Sequence, residues 1–367
     1  MTVVINGTTG ISGVAGSATT PALIGTDVDS GFYVNSANEP NASVNGTAVW
    51  SAASSFGFKN RIINGAMVID QRNAGASVNN TTSNLYVMDR WFMYGSVSSK
   101  FSIQQNAGSV TPPAGFKNYC GVTSLSAFTP STSQLDYFGQ YIEGYNIADL
   151  AWGTANASAI TVSFWVRSSL TGAFSGCVSN GTDRSYPFTY TINSANTWEY
   201  KTVTVAGDTS GTWGSTNGVG IVLRFNLGSG SDWLGTANTW SASNLIGAST
   251  GTTSLVGTNG ATLYITGVQL EKGSTATSFD VRPYGSELAL CQRYYETGAI
   301  AFANQSVISG TYKVSKRASP TMTRLGSIYS GAEAGTFLSF GGFPQDAYYV
   351  TSGSTYIGGY WSAAAEL

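Results

Sequence analysis

Apolar and polar residues alternate along much of this chain. In 160–167, Ile160, Val162, Phe164 and Val166 fall on one side of an extended strand, and Thr161, Ser163, Trp165 and Arg167 fall on the other. In 263–271 a period of two groups Leu263, Ile265, Gly267, Gln269 and Glu271 against Tyr264, Thr266, Val268 and Leu270. Further strand-like stretches are RIINGAMVID (61–70), YVMDRWFMYG (86–95), KFSIQQN (100–106), RSYPFTYTI (184–192), EYKTVTVAG (199–207) and GVGIVLRFNLG (218–228). Long connections rich in Gly, Ser, Thr and Asn separate them. Eight or more such strands predict an all-β protein whose body, residues 57–284, is an antiparallel jelly-roll β-sandwich.

The flanks read differently. Residues 1–56 open with Gly7, Gly10, Gly13 and Gly16 at every third position. A collagen helix needs many more repeats and Pro-rich triplets, so turns between short β-arcs are expected. Asp27-Val28-Asp29-Ser30-Gly31 reads as a turn and Asn45-Gly46 as a hairpin. This stretch is too small for a large core of its own and is expected to order against a partner or another copy of itself. After residue 284, SELALCQRYYE predicts a short helix capped by Ser286. The remainder of 285–367 returns to short aromatic strands.

Composition narrows the function. Charged residues make up only 10% of the chain, against 42% hydrophobic. That is too apolar for a disordered chain. With a net charge of −2 there is no basic field to draw nucleic acid. No apolar run reaches the roughly 20 residues of a membrane-spanning helix, and the first residues lack the basic and apolar regions of a secretory signal. The sequence contains no His, which excludes Ser-His and Cys-His nucleophilic mechanisms and removes a common zinc ligand. Cys120, Cys177 and Cys291 are odd in number and widely spaced, so they read as buried apolar residues rather than a disulfide framework.

Several strings resemble a known family. They are Lys59-Asn-Arg-Ile-Ile-Asn-Gly-Ala-Met-Val-Ile-Asp-Gln-Arg-Asn73, Asp89-Arg-Trp91, SFWVRSSLTG (163–172), RSYPFTYTI (184–192) and ITGVQLEKGSTATSFDVRPYGSELALCQRYYE (265–296). Over roughly 57–296 the chain resembles the carbohydrate-binding-type jelly-roll domain of phage and prophage tail fibres and tailspikes. Its opening, GTTGISG…TPALIGTDVDSGFYV, and its ending, with Lys316-Arg317-Ala-Ser-Pro320-Thr and Ala-Glu-Leu, are similar to segments of marine and cyanobacterial phage fibres. The resemblance implies a virion protein, a homotrimer and recognition of a host-surface glycan. On that reading residues 1–56 anchor the chain to tail or baseplate proteins, and 285–367 form a β-tip. No catalysis is expected. A polysaccharide depolymerase, a capsid decoration protein and a tail adaptor without receptor binding are the alternatives.

Sugar binding calls for exposed aromatic faces beside a few polar groups. Trp213, Trp233 and Trp240 lie in Gly/Ser/Thr-rich segments, with Asp208 and Asp232 nearby. They form either a loop-borne glycan platform or plugs at the end of the sandwich. Trp91 and Trp165 lie within strand patterns and are expected in the core. Tyr348, Tyr349, Tyr356, Tyr360 and Trp361 crowd the C-terminal strands, where they face a receptor or pack a trimer axis. Glycoside cleavage needs two carboxyl groups about 5–10 Å apart; Glu271 and Glu287 fall in the last family string, but strand-end and cap roles account for them. Oxygen ligands for a structural Ca²⁺ abound, but no spacing specifies one. No cofactor is expected.

Overall fold

A computed structural model describes residues 59–249, 251–303, 307–326, 336–339, 345–351 and 356–367, with short stretches between 4 and 51. The body is a sandwich of two six-stranded antiparallel sheets. In chain order its strands are β1 (Val78–Asn79), β2 (Leu85–Met88), β3 (Trp91–Gly95), β4 (Phe101–Gln105), β5 (Cys120–Ser124) and β6 (Leu135–Glu143). They continue with β7 (Ile160–Ser168), β8 (Gly172–Ser179), β9 (Ser185–Ile192), β10 (Glu199–Val205), β11 (Val219–Ser229) and β12 (Thr262–Lys272). One sheet runs β10-β7-β12-β5-β4-β1 and the other β9-β8-β11-β6-β3-β2. Pro187 lies in β9, an edge strand, where a missing N–H is tolerated.

The core fills as the alternation predicts. Ile160, Val162, Phe164 and Val166 of β7 are fully buried, and Phe164 packs edge-on against Phe225 with ring centroids 5.1 Å apart. Burying each such side chain contributes about 1.5–3 kcal/mol. Trp91 is also fully buried, and its indole N–H donates to the Asn64 carbonyl at 3.0 Å. Cys120, Cys177 and Cys291 are buried free thiols.

Three local expectations give way. YVMDRWFMYG is two strands, β2 and β3, because Arg90 takes φ 71° and turns the chain. RIINGAMVID forms no strand. Asn64 and Met67 adopt φ of 59° and 57°, and the Asn64 side chain bonds both the N–H and the C=O of Ile69, an Asn habit that competes with strand pairing. Third, the helix α1 spans Tyr284–Gln292 and begins after Pro283, two residues before the expected cap at Ser286. Proline is favoured near a helix start because its missing N–H would be unpaired there. The 284/285 boundary therefore falls within this helix.

β12 departs from strict period two. Between the pairs Ser163↔Gln269 and Trp165↔Thr266, β12 has one residue more than β7, a bulge in which Gly267 takes φ 62°. Leu263 and Ile265 face the core before it, and Val268 and Leu270 after it. Gln269 and Glu271 thus pass to the outer side.

After α1, strands β13 (Tyr295–Ala303), β14 (Val307–Thr311), β15 (Thr321–Gly326), β16 (Thr336–Ser339), β17 (Ala347–Thr351) and β18 (Tyr356–Ala364) form two three-stranded sheets, β13-β18-β15 and β14-β17-β16. Ion pairs join this region to the sandwich. Arg72 and Arg90 both pair with Glu366, and Arg90 stacks 3.6 Å above the Tyr294 ring. Within 1–56, four short strands from Leu23 to Ser51 form an antiparallel sheet. Val44 pairs with Thr47, and Asn45 has φ 48°, the left-handed backbone of the expected Asn-Gly hairpin. The 27–29 part of the expected turn lies outside the described residues, as does most of the glycine run. No helix among the described residues is long and apolar enough to cross a membrane.

One buried group resists its surroundings. Asp136 of β6 is fully buried beside Gly95 and Gly228, and neither carboxyl oxygen is in bonding geometry with a donor. Burial pushes its pKa up to about 7, against the pull of the nearby Ser96 amide and Lys100. Because the folded-state value is raised, the stabilising preference for the protonated acid is complete below the unfolded value of about 4 and is lost as pH rises through about 7. The loss amounts to at most about 4 kcal/mol. The melting temperature of Asp136→Asn should therefore climb relative to the parent by several degrees between pH 5 and pH 8. Parallel pH profiles would show that Asp136 is not strained by ionisation.

Candidate functional site

The residues expected from the sequence to bind glycan lie in different surroundings. Trp213 is 9% exposed and Asp208 is 2% exposed. The Trp213 ring meets Trp152 edge-on at 4.6 Å and Trp240 at 5.6 Å, and Trp152 meets Trp240 at 5.4 Å. Asp208 accepts two 2.7 Å bonds from the Arg184 guanidinium, the bidentate geometry that makes Arg–carboxylate pairs strong. Trp213, Trp240 and Asp208 thus close one end of the sandwich. Trp240 is half-buried and donates its indole N–H to the Ala206 carbonyl. Trp233 is half-buried and bonded to the Ser133 carbonyl, with Asp232 exposed beside it. Trp361 is 3% exposed and packs on Tyr348 and Tyr312. The side chains of Tyr349 and Tyr356 lie outside the described residues.

Trp165, expected in the core, instead stands on the outer face of its sheet and is half-buried. The alternation that buries Phe164 and Val166 turns it outward. Trp165 pairs across the ladder with Tyr200 of β10, and their rings lie 5.4 Å apart at 49°. Tyr200 is 44% exposed. Burial raises its phenol above the ordinary pKa, so the hydroxyl remains a hydrogen-bond donor at neutral pH.

These two rings form one side of a groove of about 450 Å³. Ala114, Gly115 and Phe116 line another side; Thr277, Ser278, Phe279 and exposed Val281 line a third; Ser163 and Gly267 complete the floor. Phe116 and Phe279 meet edge-on at 5.1 Å. The bulge opens the floor: a Cβ on Gly267 would lie 2.6 Å from Phe116 and 3.2 Å from Trp165. Gly267 thus supplies both the positive φ and the missing side chain.

The segment after β12 is held by buried polar groups. Glu271 is fully buried and accepts bonds from the Thr277 N–H (2.9 Å), the Thr277 hydroxyl (2.6 Å) and the Gln269 amide (2.8 Å). Gln269 accepts from the Asp280 N–H at 2.8 Å. Lys59 reaches the Ser278 carbonyl. Glu287 accepts from the Asn64 N–H and from Arg282, which also reaches the carbonyls of Asn60 and Ile62. Both acids therefore serve structure, at a strand end and beside the start of a helix. The sequence already held the signal for the groove, since Trp165 falls with Thr161, Ser163 and Arg167 on the face opposite Phe164 and Val166.

A smaller polar hollow of about 250 Å³ lies between Asn226, Ser229, Ser249 and residues 251–254. It has no aromatic lining.

No protein-family profile matches the sequence, and no curated protein does. Among solved structures, the enzymatically active domain of bacteriophage CBA120 tailspike protein 4 is similar at 11% identity and a TM-score of 0.30; the match covers 58% of this chain and 21% of that one. A CBM4 structure is similar at 15% identity and TM-score 0.29, covering 57% of this chain and 97% of that one. A family 11 carbohydrate-binding module from Clostridium thermocellum, in complex with a beta-1,3-1,4-mixed-linked tetrasaccharide, is similar at 9% identity and TM-score 0.26, covering 55% and 97%. What the groove can bind is set by its own geometry.

The burial contrast predicts distinct stability effects. Trp91→Ala should cost about 3–5 kcal/mol, and Trp213→Ala should also lower the melting temperature clearly. Trp165→Ala should cost far less than either. Thermal unfolding of the three variants checks this; an equal loss for Trp165→Ala would make its ring a core element.

Proposed function

We propose that this chain is a non-catalytic component of a phage virion, a tail fibre or short tailspike, that holds a host-surface glycan in the Trp165–Tyr200 groove. The observation that carries the glycan reading is the groove itself: the Trp165 and Tyr200 rings set on paired strands, with the Tyr200 and Ser278 hydroxyls beside them. A sugar ring presents C–H bonds of slight positive charge, which lie well on the negative face of an aromatic ring. Its edge hydroxyls meet Ser278 and the Tyr200 phenol. Rings on paired strands are pre-positioned, so little side-chain freedom is lost on binding.

A glycosidase needs two carboxyl groups flanking the bond it cuts. The residues lining the groove supply none, so a depolymerase site would have to lie elsewhere. Residues 1–56 attach the chain to tail or baseplate proteins, and the strings at 59–73 and 265–296 support the virion placement. Parallel copies in a homotrimer turn weak single-site binding into firm attachment, because later binding events become intramolecular. Exposed Asp232 and half-buried Trp233 form a lesser candidate surface.

Binding of the purified full chain to host cells or to their extracted surface polysaccharide tests the proposal. Trp165→Ala and Tyr200→Ala should each weaken binding by about tenfold or more, the loss of a stacking contact worth roughly 1.5 kcal/mol, while folding is kept. Binding that survives both substitutions would remove the groove from the account. Mass photometry should give about three times 38.3 kDa; a stable monomer at micromolar concentration would exclude the trimer.

A further inference from the structure

We infer that the groove takes uncharged sugars and turns away sugars bearing a carboxylate or sulfate, and that Glu271 is the excluding charge. The inference rests on the groove being the glycan site and deepens that reading.

Anion recognition needs cations or clustered N–H donors aimed at the ligand. None of the side chains lining the groove carries a charge. The cations near the lining are bonded within the protein or lie outside the groove; Arg282, next to Val281, pairs with Asp280 and Glu287, and Lys59 sits against the wall at Ser278. Lys59 donates to the Ser278 carbonyl, Lys201 pairs with Glu199 at 2.6 Å, and Arg167 donates to the Asn196 carbonyl. Lys117, next to Phe116 in sequence, is exposed and not part of the lining.

Three donors of the segment that closes the groove point inward. Thr277 gives both its N–H and its hydroxyl proton to Glu271, and the Asp280 N–H goes to Gln269. Neither Thr277 donor is left for an anion. Behind Thr277 lies the fully buried Glu271 side chain, with no cation among its bonded partners. A negative group in so dry a place acts at long range, because neither water nor salt screens it as on a surface. An anionic sugar would lose its own hydration, find only the neutral hydroxyls of Tyr200 and Ser278 as donors and meet this field. A neutral sugar loses nothing comparable and gains the ring contacts.

The test uses the full chain with gluco- and galacto-configured tetrasaccharides and their counterparts oxidised at C6 to carboxylates, measured by calorimetry. At least one neutral tetrasaccharide should bind, its oxidised counterpart at least tenfold more weakly. Trp165→Ala should abolish the neutral binding. Glu271→Gln should narrow the gap to less than about threefold, and Thr277→Val, which keeps the charge and removes one of its bonds, should not. A folded Glu271→Gln protein with an unchanged gap would overturn the role of Glu271. Oxidised sugars that bind as well as neutral ones, and are lost in Trp165→Ala, would overturn the inference while keeping the groove as the glycan site. Absence of any sugar binding, or binding indifferent to Trp165→Ala, would remove the groove reading and this inference with it.

Discussion

At Gly267 the strand β12 carries one residue more than its neighbour β7, and the backbone takes a positive φ there. Side chains before the bulge face the core on one parity and those after it on the other. The groove's floor exists because this residue has no Cβ. Past the bulge, β12 leaves its pairing with β5, whose register ends at Cys120↔Ile265. The irregular segment 60–65 takes its place. Val268 donates to the Gly65 carbonyl, Leu270 to the Asn60 side chain, and Arg61 to the Leu270 carbonyl. A buried strand cannot leave its backbone groups unpaired, so the bulge also dictates why 60–65 lies buried without being a strand.

The two most distinctive strings, around 59–73 and 265–296, therefore meet in space. Buried Asn60, Asn64 and Glu287, with half-buried Arg282, lock them together, while buried Gln269 and Glu271 brace the second string from within. Such residues are costly to bury unless every group finds a partner. Here they have partners, and the result is a rigid segment beside an uncharged groove. Asp136 shows the opposite case: a carboxyl buried with no donor, and burial pushes it toward neutrality.

Much of this was legible from alternation. Phe164 and Val166 go in, and Trp165 goes out, as period two requires. Membership of a strand pattern alone does not decide burial: Trp165, expected in the core on that ground, faces outward, because a strand turns only alternate residues inward. Trp213, for which the sequence leaves both a glycan platform and a plug at the end of the sandwich open, fits the plug, because a Trp triad and the Arg184–Asp208 pair draw it and Asp208 inward. Local sequence does not reveal that Arg184 lies opposite Asp208 in space. The helix start and the 61–70 segment failed for another reason: a single Pro or left-handed Asn sets the local path, and hydrophobic pattern is blind to it.

The central claim is that ligand meets Trp165 and not the Trp residues that close the end of the sandwich. The indole N–H resonances of the protein report this directly, since each Trp gives its own signal. On titration with a neutral oligosaccharide that binds, the Trp165 indole signal should shift progressively, while those of Trp91, Trp213 and Trp240 stay in place. Movement of the Trp213, Trp233 or Trp240 signals with Trp165 unmoved would contradict the account.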